Sequence, residues 1–267
     1  MKPTRLLWTP AIAFWWRDVI RFLRQRNRII GALATPLVFW LMVGSGFGPS
    51  FRNPSVADAT AGAGSYLAYF FPGTIVLIML FTAIFSTISV IEDRREGFLQ
   101  GALVAPLSPA AIPFGKFLGG TTLSLLQAAL FCVLAPLAGI PVGWHQLLLL
   151  LPAFLLVGFS MTGLGFLVAW PMDSTQGFHA VMNIFLMPLW MMSGALFPMP
   201  AGSGWLYWVG VLNPVSYGVT AIRCGFSGSA EATFPPDYLT GLAATALFGA
   251  ATFAVSVHLV AKRSRKG

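Results

Sequence analysis

Apolar runs of roughly 18–25 residues follow one another along the chain, each near the length that carries a helix across a bilayer's hydrocarbon core. They fall at 29–47, 66–90, 116–138, 147–170, 178–198 and 241–261. None alternates with period two, as a membrane β-barrel strand would. In lipid every backbone N–H and C=O must find its partner inside the protein, so these runs are read as helices. Composition agrees, because only 9% of the 267 residues are charged, against about 25% in a soluble domain. The expected fold is an all-α polytopic membrane protein with six transmembrane helices, a single transmembrane domain over 1–267.

Charge sets the orientation. With six spans, both termini and the 91–115 loop share one side. That side holds Lys2, Arg5, Arg17, Arg21, Arg24, Arg26, Arg28, Arg94, Arg95, Lys116, Lys262, Arg263, Arg265 and Lys266, while the other keeps Arg52 and Arg223. The positive-inside rule places both termini in the cytoplasm of an inner-membrane protein. The stretch 205–222 rivals these runs as a seventh span, but Asn213-Pro214 interrupts it and proline removes a helical donor. A seventh crossing would also send Lys262 to Lys266 outside. The segment 199–240 is therefore expected to form an outer, partly re-entrant hairpin with Trp205, Tyr207 and Trp208 at the interface. The segment 241–267 then forms span six and a basic tail.

The net charge of +8 sits beside apolar runs, which suits membrane lipids as a partner and not nucleic acid. On a helical wheel of the arm 1–28, Arg17, Arg21, Arg24 and Arg28 form one stripe, with Arg26 as an intruder on the other face. Ile12, Trp15, Trp16, Val19, Phe22 and Leu23 lie opposite. That pattern describes a cytoplasmic amphipathic helix lying in the interface, either a simple topology anchor or a lever on the first span. No cleavable signal peptide is apparent ahead of the run that starts near Ile29. Cys132 and Cys224 supply no disulfide framework.

Catalytic chemistry is sparse. A phosphate-binding loop needs a glycine five residues before Gly-Lys and a Ser or Thr after it. Here Ala110 precedes Gly115-Lys116, and Phe117 follows. His145, His179 and His258 have no metal-ligand spacing, and no partnered Ser/His/Asp order emerges. No catalytic or metal residue is assigned. His179 and Asn183 share a helical face at i, i+4, while Trp190 and Met191 crowd the fifth run; all four are candidates for a substrate path. An interhelical hydrogen bond, and packing, are the simpler readings of the same residues. Asp173 reads as a helix-end charge or a gate.

One charged cluster remains, Glu92-Asp93-Arg94-Arg95-Glu96-Gly97, inside an otherwise greasy chain. The residues 91–103 are expected to form one short helix with Phe98, Leu99, Ala102 and Leu103 on an apolar side, ended by Ala105-Pro106. Those apolar positions point to a partner-docking helix in place of a solvated loop.

Three stretches now carry a resemblance: EDRREGFLQGALVAP at 92–106, Gly115-Lys116 opening the third run, and Leu212-Asn213-Pro214-Val215-Ser216-Tyr217 followed by Ala221-Ile222-Arg223 and Gly225-Phe226. Together they resemble the membrane subunits of ABC exporters of the type-2 permease class. Gln100 stands where that family commonly has a glutamate. The resemblance implies a permease that pairs with a second copy or a paralogue and recruits a separate ABC ATPase. ATP and Mg would then be bound by the ATPase, with no cofactor on this chain. It implies a coupling helix over 92–105, with Glu92, Arg94, Arg95 and Glu96 giving polar contacts around Gly97, and with Phe98, Leu99 and Leu103 giving packing. Spans one, two and five would line the route of an amphipathic or lipid-linked cargo. A membrane-embedded lipid-modifying enzyme and a passive channel are the competing classes. The first calls for clustered His, Asp or Glu at one interface, the second for rings of pore charge.

Overall fold

The computed structural model describes residues 5–24, 26–47, 63–198, 204–228 and 236–264. Arg52, parts of the expected hairpin at 199–203 and 229–235, and the tail at 265–267 lie outside the described residues, as do the side chains of Arg5, Arg26 and Arg28. All regular structure among the described residues is helical: α1 Arg5–Arg24, α2 Arg26–Phe47, α3 Ala63–Ser86, α4 Ile88–Arg95, α5 Phe98–Val104, α6 Ala111–Cys132, α7 Trp144–Ala169, α8 Thr175–Met191, α9 Trp205–Leu212, α10 Pro214–Ser227 and α11 Pro236–Ser264.

Among the described residues, three helical stretches are long and apolar enough to cross a membrane: Tyr66–Arg95, Trp144–Ala169 and Asp237–Ser264. The window that qualifies each is 83%, 56% and 28% buried, which puts α3 at the centre, α7 beside it and α11 at the periphery. Leu33–Gly46 in α2 is apolar but shorter. The expected runs match helices with shifted ends. The third begins five residues earlier, at Ala111, and its helix stops at Cys132 before a single 3-10 turn, Ala135–Ala138. The fifth stops at Met191, followed by an irregular stretch to Pro198.

Small residues let these helices approach closely. A Cβ on Gly115 of α6 would sit 2.6 Å from both the Ala11 carbonyl oxygen and Phe14 Cβ, so α1 presses its backbone onto α6 there. A Cβ on Gly73 of α3 would lie 2.6 Å from the Ala195 carbonyl oxygen. That second contact belongs to the far end of the bundle from α4. There Tyr66 and Tyr69 of α3 donate to the carbonyls of Leu196 and Gly194 at 3.0 Å, and Arg223 of α10 donates to Gly194 O at 3.0 Å. The irregular 192–198 stretch is thus pinned by side chains from α3 and α10.

The interrupted stretch 205–222 is two helices, as the Asn213-Pro214 break requires. Asn213 caps α10 by accepting from Val215 N–H at 3.0 Å, and its Nδ2–H donates to the Leu189 carbonyl. Trp205, Trp208 and Leu212 remain exposed, while α10 packs against α7 and α11.

The charged cluster and the apolar residues after it are not one helix. Gly97 has φ +77°, the left-handed region, and it ends α4 and starts α5, making a sharp charged elbow. Only glycine adopts that conformation without a Cβ penalty. Gly97→Val is expected to destabilise the chain by about 1–2 kcal/mol through backbone strain. Thermal unfolding in detergent checks it, with Gly97→Asn expected to fall between Val and the parent.

Candidate functional site

The elbow formed by α4 and α5 is where the remaining polar chemistry gathers, and successive residues address different helices. Glu92 accepts from Arg21 Nη1 at 2.8 Å and Glu96 from Arg21 Nη2 at 3.2 Å. Burial works to lower the Arg21 pKa, but the carboxylates of Asp93, Glu92 and Glu96 outweigh it and hold the value above the ordinary one. Asp93, fully buried, is ion-paired to Arg17 of α1 and accepts from Lys116 Nζ of α6 at 2.7 Å. The Lys116 ammonium also donates to Asp18 at 2.9 Å and to Ser89 Oγ at 2.9 Å, so all three of its donors are used.

Arg94 turns the other way. Its guanidinium donates to the carbonyls of Trp170 and Met172 just beyond the C-terminus of α7, the second at 3.0 Å, and pairs with Asp173 Oδ1 at 3.1 Å. Carbonyls at a helix end lack intrahelical partners and carry the negative pole of the helix dipole, so a buried cation is well placed there. The guanidinium also lies over the Trp170 ring, 5.4 Å from its centroid. Arg95 Nε donates to Asp173 O at 2.9 Å. On α5, the Leu103 carbonyl accepts from Ser264 Oγ at the end of α11 at 3.1 Å. The elbow therefore holds α1, α6, α7 and α11 together at one end of the bundle.

This geometry redistributes the residues singled out from sequence. Arg94 and Leu99 are only 9% and 1% exposed and pack within the bundle. Phe98 is partly covered by the edge of Phe14 and by the Arg17 guanidinium, 3.8 Å above its ring. Leu103 packs against the core. What the elbow leaves exposed is Arg95, Glu96, Phe98, Gln100, Gly101 and Val104.

The arm divides its side chains between the bundle and the surface. Arg17 and Arg21 pair with protein carboxylates, and Arg24 is exposed. Its apolar face divides: Phe22 and Val19 bury with Ala11 and Phe14, whereas Trp8, Ile12, Trp16 and Leu23 stay exposed along one stripe. Trp15 Nε1–H donates to Thr122 Oγ1 at 3.0 Å.

Of the path candidates, Trp190 is fully buried and donates to the Gly73 carbonyl at 2.8 Å, which makes it a packing residue. Asn183 and Met191 are exposed on α8. His179 lies against Phe85, the rings tilted by 40° with centroids 4.8 Å apart, and lines a cavity of about 650 Å³ between α2, α3 and α8. Pro36, Phe81, Phe85 and Met187 make its walls apolar, Thr35, Thr82 and Ser86 add hydroxyls, and Glu92 stands at the elbow end. No cluster of three or more His, Cys, Asp or Glu that would hold a metal occurs among the described residues.

Sequence reasoning missed Asp18, Asp93 and Lys116 as a set. Their signal was present: an ionisable residue in or beside an apolar span marks a functional site with a partner to be named.

A family profile described as ABC-2 type transporter matches residues 10–226. The chain belongs to that family, whose members are transport subunits, and the apolar helices fit an integral membrane protein. Membership implies partnership with an ABC ATPase subunit. The chain is similar to transport permease ycf38 of Cyanophora paradoxa, 28% identical over 80% of this chain and 72% of the relative. The same-named protein of Porphyra purpurea is 30% identical over 77% and 70%. Nodulation protein J of Neorhizobium galegae is 25% identical over 94% and 93%.

Proposed function

We propose that the chain is the permease subunit of an ATP-driven exporter of an amphipathic or lipid-linked substrate, with the elbow as its coupling element. In this reading α2, α3, α6, α7, α8 and α11 cross the inner membrane, both termini are cytoplasmic, and α9–α10 form the outer, partly re-entrant hairpin. A second copy or a paralogue completes the pathway, α1 lies along the lipid surface on its Trp8, Ile12, Trp16 and Leu23 stripe, and two copies of the ATPase bind ATP and Mg.

The observation that carries this reading is the elbow's division of labour. Its charged residues pair with the bundle's own helices, while α5 offers a small, uncharged outer rim of Phe98, Gln100, Gly101 and Val104. The apolar, hydroxyl-bearing cavity begins directly beside it at Glu92. Its volume of about 650 Å³ is within the usual range for a small-molecule site, roughly 300–1,000 Å³. Apolar walls favour a greasy cargo over an ion.

The rim supplies the test. Val104, 76% exposed, has little folding role to lose. Val104→Asp is expected to reduce capture of the cognate ABC ATPase by at least about tenfold, equivalent to ~1.4 kcal/mol of a desolvated contact. Membrane yield should be unchanged. Undiminished capture by Val104→Asp and by Gly101→Trp would remove the elbow from the interface.

A further inference from the structure

We propose that Asp93 and Lys116 are positioning residues of the coupling step. They fuse the arm α1, the elbow and the inner end of α6 into one rigid body, so that a push on α5 moves all three together. This rests on the proposed contact between the elbow and an ATPase.

Four charges form the joint: Arg17 and Asp18 of α1, Asp93 of α4 and Lys116 of α6. The two cations and two anions balance. Asp93 is fully buried and Lys116 is 2% exposed, yet each reaches partners on both of the other elements, 23 to 98 positions away in sequence. Ser89 closes the arrangement, accepting from Lys116 and donating to Asp18 at 3.2 Å.

Such a joint resists sliding in a way that apolar packing does not. An apolar contact displaced along a helix finds another apolar neighbour. A buried carboxylate displaced from its ammonium has no water to turn to, so the energy rises steeply with displacement. Arg21 widens the clamp by bridging Glu92 and Glu96, and Arg17 covers Phe98 of α5.

The elbow's link to its own preceding span is different. Between Ser86 and Ile88 the backbone switches to i→i−3 bonds, Thr87 N–H to Ile84 O at 3.0 Å and Val90 N–H to Thr87 O at 2.9 Å. A tightened turn within a helix is a natural bending point. The geometry therefore joins the elbow to α1 and α6 through paired buried charges, to α7 through Arg94, and to α3 by a bend at Thr87.

The experiment measures distances in the full chain by pulsed electron spin resonance, after Cys132→Ser and Cys224→Ser. One label pair sits on the arm and on the turn from the elbow into α6, Arg24→Cys with Pro109→Cys, and the other on the arm and last helix, Thr9→Cys with Leu247→Cys; these four sites are exposed and lie outside the proposed docking rim. In complex with the ATPase, vanadate trapping is expected to move the second distance and leave the first unchanged. Asp93→Asn leaves Lys116 paired with Asp18 and lets the partly exposed Arg17 turn to water. It is expected to broaden the first distribution at least twofold, even without the ATPase, while Asp93→Glu keeps it narrow. The double variant Lys116→Met/Asp18→Asn, which removes one charge of each sign, should broaden it as well. Parent-like distributions in Asp93→Asn and in the double variant overturn the proposal, and so does a parent whose first distance changes on trapping as much as the second. Failure of the chain to capture any ATPase would instead sink the functional reading, and the ATPase-free distributions would still decide the joint.

Discussion

Lys116→Met is expected to lower stability by about 3–5 kcal/mol, because it strands Asp18 without a cation in a site that is only 7% exposed. The Asp93 carboxylate retains Arg17, so Asp18 carries the loss and keeps only the Ser89 hydroxyl. In a chain of this size the melting temperature should fall by on the order of 10 °C. Adding Asp18→Asn removes the stranded charge and should return at least half of the lost stability, since a buried ion pair replaced as a pair is often nearly neutral. Thermal unfolding of the single and double variants in detergent checks this. A single variant as stable as the parent would mean that Asp18 reaches solvent.

Arg94→Met is expected to cost about 3 kcal/mol, and Arg94→Lys to recover less than half of it. The guanidinium fork serves the Trp170 and Met172 carbonyls together, and a lysine ammonium is a point charge without that fork. Hydrogen bonds from a charged donor to such carbonyls contribute roughly 1.5–3 kcal/mol each. The Asp173 pair adds little, since that carboxylate is 85% exposed. Asp173→Asn should therefore leave the melting temperature within about 1 °C of the parent. The comparison separates a helix-end cap from a salt bridge, and an Asp173→Asn loss equal to that of Arg94→Met would reverse the assignment.

Much of this fold was legible because hydrophobic length is a local property. The runs at 66–90, 147–170 and 241–261 predicted α3, α7 and α11, and Asn213-Pro214 marked the break between α9 and α10. The elbow was legible as a charged exception, but its interior was not. The residues 91–103 read as one short helix running through Gly97, whose left-handed backbone follows from the turn that brings α5 back across α1. The direction in which Arg94 and Leu99 point depends on that same turn.

The ionic joint was hidden for a different reason. Asp18 lies among arginines, Asp93 among four other charges and Lys116 at the start of an apolar run, so each has a bland local explanation. Only the close approach of α1 to α6 at Gly115 brings the three together. Arg17 and Arg21 were legible as a stripe, yet the wheel could not say whether carboxylates or lipid would meet them. The structure supplies Asp93, Glu92 and Glu96.

On the proposed function, a separate motor grips this chain at the elbow's outer rim. Hydrogen–deuterium exchange of the full chain in lipid nanodiscs, with and without the cognate ABC ATPase, tests it most directly. The account predicts slowed exchange at the amides of 98–106 and no change at 205–212 at the far end of the bundle. Protection at 205–212 with unchanged exchange across 98–106 would contradict it.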